Sequence, residues 1–175
     1  MKLDYKKYIP KRFHNASYEK DVPQQVKELV KTQFKKQEGL YIWGESGVGK
    51  THIVCALAKY ILEKGVEVMF LNTSDFLAKL REGFDKPLDE ESGLFRDVMN
   101  FKGVIIFDDI GAEKSSDWVN ERLYLIINKK YEDMGQVIFT SNYNLEDLAG
   151  RIQERSASRI KGMVDFLELD GEDKR

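Results

Sequence analysis

The sequence predicts an α/β fold: a five-stranded parallel sheet covered by helices on both faces. Three observations predict it. Short apolar segments alternate with helix-length amphipathic ones along the chain. One run, Val104-Ile105-Ile106-Phe107, shows no polar alternation, as a strand buried on both faces requires. Glycine-rich, acidic and polar clusters follow directly on strand-like runs, and open parallel sheets place their ligands at those carboxyl ends.

The elements follow in order. Residues 1–22 are polar and aromatic, are punctuated by Pro10 and Pro23, and read as an extended arm. From Pro23 to about Gln37, Val26, Leu29, Val30 and Phe34 recur at helical spacing. Pro23 suits a first turn, where its missing N–H leaves nothing unpaired. Leu40-Tyr41-Ile42-Trp43 is the first strand. Residues 51–64 are a helix with Ile53, Val54, Leu57, Ala58, Ile61 and Leu62 on one side and Gly65 as its stop. Residues 66–72 form the second strand. Ser74 is expected to cap a helix through about Arg81. A broken region around Pro87 follows, then a helix over about 90–100. Residues 104–107 are the third strand, 117–134 a long helix and 136–140 the fourth strand. Residues 145–161 are helical, with Gly150 the expected interruption, and 164–169 are the last strand. The arm and first helix, 1–38, are expected to belong to one module with the core at 39–175.

Composition narrows the classes. A chain of 175 residues that is 42% hydrophobic and 33% charged suits one globular domain. Cys55 is the sole cysteine, which rules out an intrachain disulfide and a cysteine zinc site and suits a reducing cytoplasm. No apolar run approaches the ~18 residues of a membrane span. The N-terminus has no apolar stretch behind its charges, so it does not read as a secretory signal. A net charge of −2 supplies no global basic field, and nucleic acid would have to be held by a local patch.

The most informative segment is Gly44-Glu45-Ser46-Gly47-Val48-Gly49-Lys50-Thr51, which fits G-x-x-x-x-G-K-[ST] between a strand and a helix. Glycines at 44, 47 and 49 let several backbone N–H groups face one point. The following helix adds its positive end. Lys50 would reach the β- and γ-phosphates of ATP, and Thr51 would put its hydroxyl on Mg²⁺. The segment resembles the phosphate loop of P-loop NTPases.

Asp108 and Asp109 end the buried strand, beside that loop. Asp108 would hold Mg²⁺ through water, and Asp109 would orient or deprotonate the attacking water. An Asp-rich turn is the plainer reading of the same residues. Val137-Ile138-Phe139-Thr140-Ser141-Asn142 ends another strand. Asn142 would bond the γ-phosphate or the lytic water, although Asn-Tyr-Asn is also good turn chemistry. Arg151, Arg155 and Arg159 recur every four residues and so share a helix face. They suit either a γ-phosphate or a solvated face pairing with Glu154. His14 and His52 have no partner at metal-ligand spacing and read as structural. Ile9 and Phe13 are the candidates for adenine contacts.

Together these motifs resemble the AAA+ ATPases, in particular the bacterial replicative-helicase loaders of the DnaC/DnaI type. Phe107-Asp108-Asp109-Ile110-Gly111-Ala112-Glu113, then Asp117-Trp118 and Phe139-Thr140-Ser141-Asn142, carry that resemblance, which covers about residues 8–175 with Ile9-Pro10-Lys11-Arg12-Phe13 at its start. The resemblance implies a sensor-1 role for Asn142. It implies that Arg159, in Ser158-Arg159-Ile160, is an arginine finger reaching a neighbouring subunit's ATP, with Arg155 second. Arg175, closing Gly171-Glu172-Asp173-Lys174-Arg175, would be a sensor-2 arginine. A helical region at about 74–100 would line single-stranded DNA through Lys79, Arg81, Lys86 and Arg96, with Glu82, Asp85, Asp89, Glu90 and Glu91 diluting their charge.

The partners implied are a replicative DNA helicase, single-stranded DNA and further copies joined head-to-tail. Loaders of this type usually add an N-terminal helicase-gripping domain, often with zinc. About 39 residues precede the first strand here. The competing readings are an IstB-type transposition helper, a small-molecule kinase, and an ATP-gated binding module with negligible hydrolysis. The last follows from Asp109 standing where a longer Glu would hold water better.

Overall fold

The sheet is built from five short strands, each leading into a helix or the chain's tail. The computed structural model describes residues 9–36, 38–82, 93–171 and 173. Lys86, Pro87, Arg175 and the side chain of Phe34 lie outside the described residues.

From residue 9 onward the arm is not extended. It forms a 3-10 turn at Lys11–Phe13 and a short helix α1 at Tyr18–Asp21. Its Ile9, Ala16 and Val22 are buried, so the chain must coil to bring all three inward. Helix α2 is Gln24–Lys36, β1 is Gly39–Trp43 and α3 is Lys50–Glu63. Strand β2 is Val68–Asn72 and α4 is Thr73–Glu82. The cap of α4 is Asn72 rather than Ser74: the Asn72 Oδ1 accepts from the Asp75 N–H at 3.1 Å. Helix α5 is Gly93–Asn100, β3 is Val104–Asp108, α6 is Asp117–Glu132 and β4 is Val137–Ser141. Two helices follow, α7 at Leu145–Ile152 and α8 at Glu154–Lys161, then β5 at Val164–Glu168. The break between α7 and α8 falls at Gln153, with φ 74° and ψ 145°, not at Gly150. Arg151 therefore lies on a different helix from Arg155 and Arg159, and the three do not form one stripe.

All pairings are parallel, in the order β2-β3-β4-β1-β5. Strand β4 lies between β1 and β3, so three strand ends that carry motifs are neighbours. The period of two decides the faces. Leu40, Ile42, Val104, Ile106 and Ile138 join the arm, α2 and α3 in one core. Tyr41, Ile105, Phe107, Val137 and Phe139 join residues of α4 to α8 in the other. Phe107 and Phe139 stack across β3 and β4, with centroids 5.7 Å apart.

One buried charge lies at the other end of the sheet, beside the segments that lead into β3 and β4. Lys130, 3% exposed, donates to the carbonyls of Met99 at 3.1 Å and Phe101 at 2.8 Å, closing the end of α5. Burial pushes its ammonium down to about 8, and the nearby Asp133 opposes this. Between that value and the ordinary lysine pKa of ~10.4 the unfolded chain holds a proton that the folded chain has released. Stability from this group therefore rises with pH through that window and is lost as pH falls through about 8. Denaturant titrations of wild type and Lys130→Met at pH 7 and pH 10 check this. The difference between the two proteins should move toward wild type at the higher pH.

Candidate active site

Strand β1 turns at Gly44, whose N–H donates to the Ser141 carbonyl at 3.3 Å. Gly47 and Gly49 take φ of 95° and 101°, and Gly49 is the residue from which α3 departs. Buried Val48 pins the loop from below. Glu45 and Ser46 are exposed at its tip. Gly44 admits no side chain, because a Cβ there would fall 2.2 Å from the Leu169 carbonyl oxygen. At Gly47 a Cβ would meet the Asp173 carboxylate at 2.2 Å, so the C-terminal tail rests against the loop.

Lys50 is folded onto the loop and is 7% exposed. Its Nζ donates to the carbonyls of Gly44 at 2.7 Å and Glu45 at 2.8 Å, and to Asn142 Oδ1 at 2.7 Å. Thr51 Oγ1 lies 3.0 Å from both carboxylate oxygens of Asp108. Strand β4 completes the group. Thr140 Oγ1 donates to Asp108 Oδ1 at 2.7 Å and accepts from the Asp109 N–H at 2.8 Å. Asn142 Nδ2 donates to Asp109 Oδ1 at 3.0 Å. Asn142 thus bridges Lys50 and Asp109.

Asp108 is 4% exposed. Burial raises its carboxyl pKa and the neighbouring Asp109 adds to this, while hydrogen bonds from Thr140 and Thr51 and the charge on Lys50 pull it down. A buried carboxylate with hydroxyls of Thr51 and Thr140 at hydrogen-bond distance is a hard oxygen donor set of the kind that holds a divalent cation.

These groups open onto a cleft of about 670 Å³, within the size range of small-molecule pockets. One wall holds Gly47, Gly49, Lys50, Thr51, Asp109 and Asn142. The arm supplies the other, with Arg12, Phe13, Asn15, Lys20 and Asp21. Asp21 Oδ2 pairs with His52 Nε2 at 3.0 Å and accepts from the Ser17 N–H at 2.7 Å, and these two contacts lower its pKa.

The structure brings together Lys50, Thr51, Asp108, Asp109 and Asn142, as the sequence leads one to expect. Of the two adenine candidates, Phe13 lines the cleft. Ile9 is 4% exposed in the core and borders a smaller groove instead. Arg159 is not among the lining residues. Its Nε donates to Asn128 Oδ1 at 3.0 Å, and its guanidinium sits 4.8 Å over the Tyr131 ring. Arg155 sits 4.0 Å over Tyr124 on the same helix, α6. Arg151 turns inward, donating through Nε to the Gly111 carbonyl.

Thr140, Arg12, Asn15, Lys20 and Asp21 were missed by sequence reasoning. Thr140 had a signal, a hydroxyl at the end of the strand-like run before Asn142, which the Phe107–Phe139 register sets opposite Asp108. The arm residues had none, because nothing local shows that residues 12–21 fold back across the loop.

The family model of IstB-like ATP binding proteins matches residues 3–165. The replicative helicase loader DnaI of Bacillus subtilis is 28% identical over 154 residues, covering 80% of this chain and 48% of that protein. The chromosomal replication initiator protein DnaA of Mesoplasma florum is 28% identical over 133 residues, covering 74% of this chain and 30% of that protein. The chain therefore spans less than half the length of these curated relatives. The crystal structure of the DnaC helicase loader aligns with a TM-score of 0.78 at 29% identity, covering 92% of this chain and all of that one. No helix among the described residues is long and apolar enough to cross a membrane. A match running from residue 3 to residue 165, on a parallel sheet whose strand ends gather these groups, means that the chain belongs to the IstB-like family of ATP-binding proteins, with the fold of AAA+ P-loop domains.

Proposed function

We propose that this chain binds ATP·Mg²⁺ in the cleft and hydrolyses it as a helicase-loader-like AAA+ replication protein of the cytoplasm, slowly until assembled. One observation carries the reading: Lys50, Thr51, Asp108, Asp109 and Asn142 converge where β1, β4 and β3 end side by side. Lys50 turns from the carbonyls it now holds to the β- and γ-phosphate oxygens. The loop amides and the first turn of α3 cradle the phosphates. The donor set fits magnesium, since the Thr51 hydroxyl and the Asp108 carboxylate are hard oxygen donors 3.0 Å apart. When bound, the metal neutralises phosphate charge. Asp109 orients and deprotonates the attacking water, and Asn142 senses the γ-phosphate. Arg175 adds a phosphate contact from the tail, where Asp173 already touches Gly47.

Subunits join head-to-tail, and Arg159 of one reaches the ATP of the next. In support, Arg159 faces away from its own cleft, on the α6–α8 side. The partners are a replicative helicase, for which the loaders DnaI and DnaC are the precedent, and single-stranded DNA. Exposed Lys79, Arg81 and Arg96 are the basic candidates for DNA. Arg81 sits 5.0 Å over the Trp118 ring and Arg122 sits 5.4 Å over Phe95, an arginine–aromatic cluster of the kind that stacks bases. The relatives compared are replication proteins, which disfavours the transposition-helper reading.

The test is ATP hydrolysis against protein concentration, with and without single-stranded DNA, with Lys50→Ala as the blank. A rate per subunit that climbs with concentration and responds to single more than double strands supports the reading. A flat, DNA-insensitive rate removes assembly and DNA coupling from it.

A further inference from the structure

Asp109 has an unusual backbone. It is a non-glycine residue at φ 60°, a left-handed conformation costing about 1–2 kcal/mol for an L-residue. Such a conformation persists only where its surroundings over-determine it. Strand β4 fixes Asp109 itself and its successor Ile110. The Asp109 N–H donates to Thr140 Oγ1 at 2.8 Å, the Ile110 N–H to the Thr140 carbonyl at 2.9 Å, and Ser141 Oγ to the Ile110 carbonyl at 2.7 Å. The following side is fixed differently, through Gly111.

Gly111, at φ 89°, is gripped at both of its polar groups. Its N–H donates to both carboxylate oxygens of Glu113, at 3.2 and 3.1 Å. Its carbonyl accepts from Arg151 Nε. Arg151 also lies 4.6 Å over the Tyr143 ring, and its own carbonyl accepts from Ser115 Oγ at 2.9 Å, which fastens the loop to α7 twice. Gly111 is pressed against α7 so closely that a Cβ would fall 2.6 Å from Leu148 Cδ1. Glu113 is 9% exposed, and neither it nor Arg151 is among the residues lining the cleft. Burial raises the Glu113 pKa, opposed by the Gly111 N–H and the Arg151 charge. Burying an acid beside a half-buried base to hold one peptide gives little stability, since well-packed apolar residues do as well or better. What a charged grip supplies is a fixed direction.

We propose that Glu113 and Arg151 are positioning residues for Asp109, clamping Gly111 from both sides so that the Asp109 carboxylate is held in one orientation for the attacking water. The clamp rests on the reading of Asp109 as the water-orienting group. Neither residue lines the cleft, so both are expected to act on turnover and not on affinity. A displacement of about 1 Å at a reacting group is worth roughly 10²-fold in rate.

The experiment measures kcat at saturating ATP, Kd for ATP, and thermal midpoint for Glu113→Ala, Glu113→Gln, Arg151→Ala and Asp109→Asn. Expected for Glu113→Ala and Arg151→Ala is a fall in kcat of roughly 10- to 100-fold, with Kd within about two-fold of wild type. Glu113→Gln, which keeps an acceptor for the Gly111 N–H, should recover most of the rate. If Glu113→Ala does not fold, Arg151→Ala and Glu113→Gln decide. Wild-type kcat in Arg151→Ala overturns the clamp. So does a parallel loss of kcat, affinity and midpoint that Gln fails to rescue, which marks ordinary structural damage. Asp109→Asn separates the two readings. If it turns over like wild type, the role of Asp109 itself is wrong. If it is inactive while the Glu113 and Arg151 variants are active, only the clamp is wrong.

Discussion

Asp109→Asn should lower ATP turnover by about 10²–10⁴-fold, the usual contribution of a general base, while ATP affinity stays within about two-fold. The substitution removes charge and basicity and little else. Asn tolerates the left-handed region better than most residues, so the φ of 60° at this position is preserved. Its amide oxygen can still accept from Asn142 Nδ2, which now donates to Asp109 at 3.0 Å. Thr51, Thr140 and Asp108 keep their own hydrogen bonds, so the proposed metal site is untouched. Single-turnover hydrolysis beside equilibrium binding of a labelled nucleotide reads both quantities. Turnover at the wild-type rate would remove Asp109 from the chemistry.

Arg159→Ala should lower hydrolysis by assembled protein by about 10³-fold or more, the range of an arginine finger acting in trans. Locally the change is mild. The residue gives up one hydrogen bond to Asn128 and the stack on Tyr131, both on a partly exposed surface, so folding should survive. A head-to-tail contact joins two different faces, which permits a complementation test. Arg159→Ala subunits keep an intact phosphate loop and lack a finger. Lys50→Ala subunits keep the finger and lack a working loop. Mixing the two inactive proteins should restore hydrolysis at the sites that pair one with the other. No recovery, with each protein shown to be folded, would sink the trans assignment and leave Arg155, held over Tyr124, as the arginine to test next.

Where local chemistry dictates geometry, the sequence was readable. The phosphate loop specifies its own turn through Gly47 and Gly49, and the apolar run at 104–107 can only be an interior strand. That placed Lys50, Thr51, Asp108, Asp109 and Asn142 together before any coordinates. What failed depended on long-range packing. Gln153 carries no breaker chemistry, yet it takes φ 74° because α7 and α8 must both bury apolar residues against the same core, while Gly150, the obvious breaker, stays helical. Asn72 and Ser74 are both competent caps, and only the point where β2 leaves the sheet chooses between them. Glu113 read as one letter in a family signature, and its purpose depends on Arg151, 38 positions on, meeting the same peptide.

The two walls of the cleft are attached to the protein very differently. One is the end of a five-stranded sheet, the part of a domain that opens last. The other is a 3-10 turn and a four-residue helix, held on α3 by three buried side chains, the Asp21–His52 pair, the Tyr18–Tyr60 stack and Lys59, whose ammonium holds the carbonyls of His14 at 3.1 Å and Ala16 at 2.5 Å. Short elements at the edge of a domain open more readily than the strands of its sheet. A nucleotide spanning both walls would then act as a staple. It would add little to a sheet that is already rigid and more to the arm at 9–22, so occupancy would be written as order in that arm, on the outside of the molecule where a partner can read it.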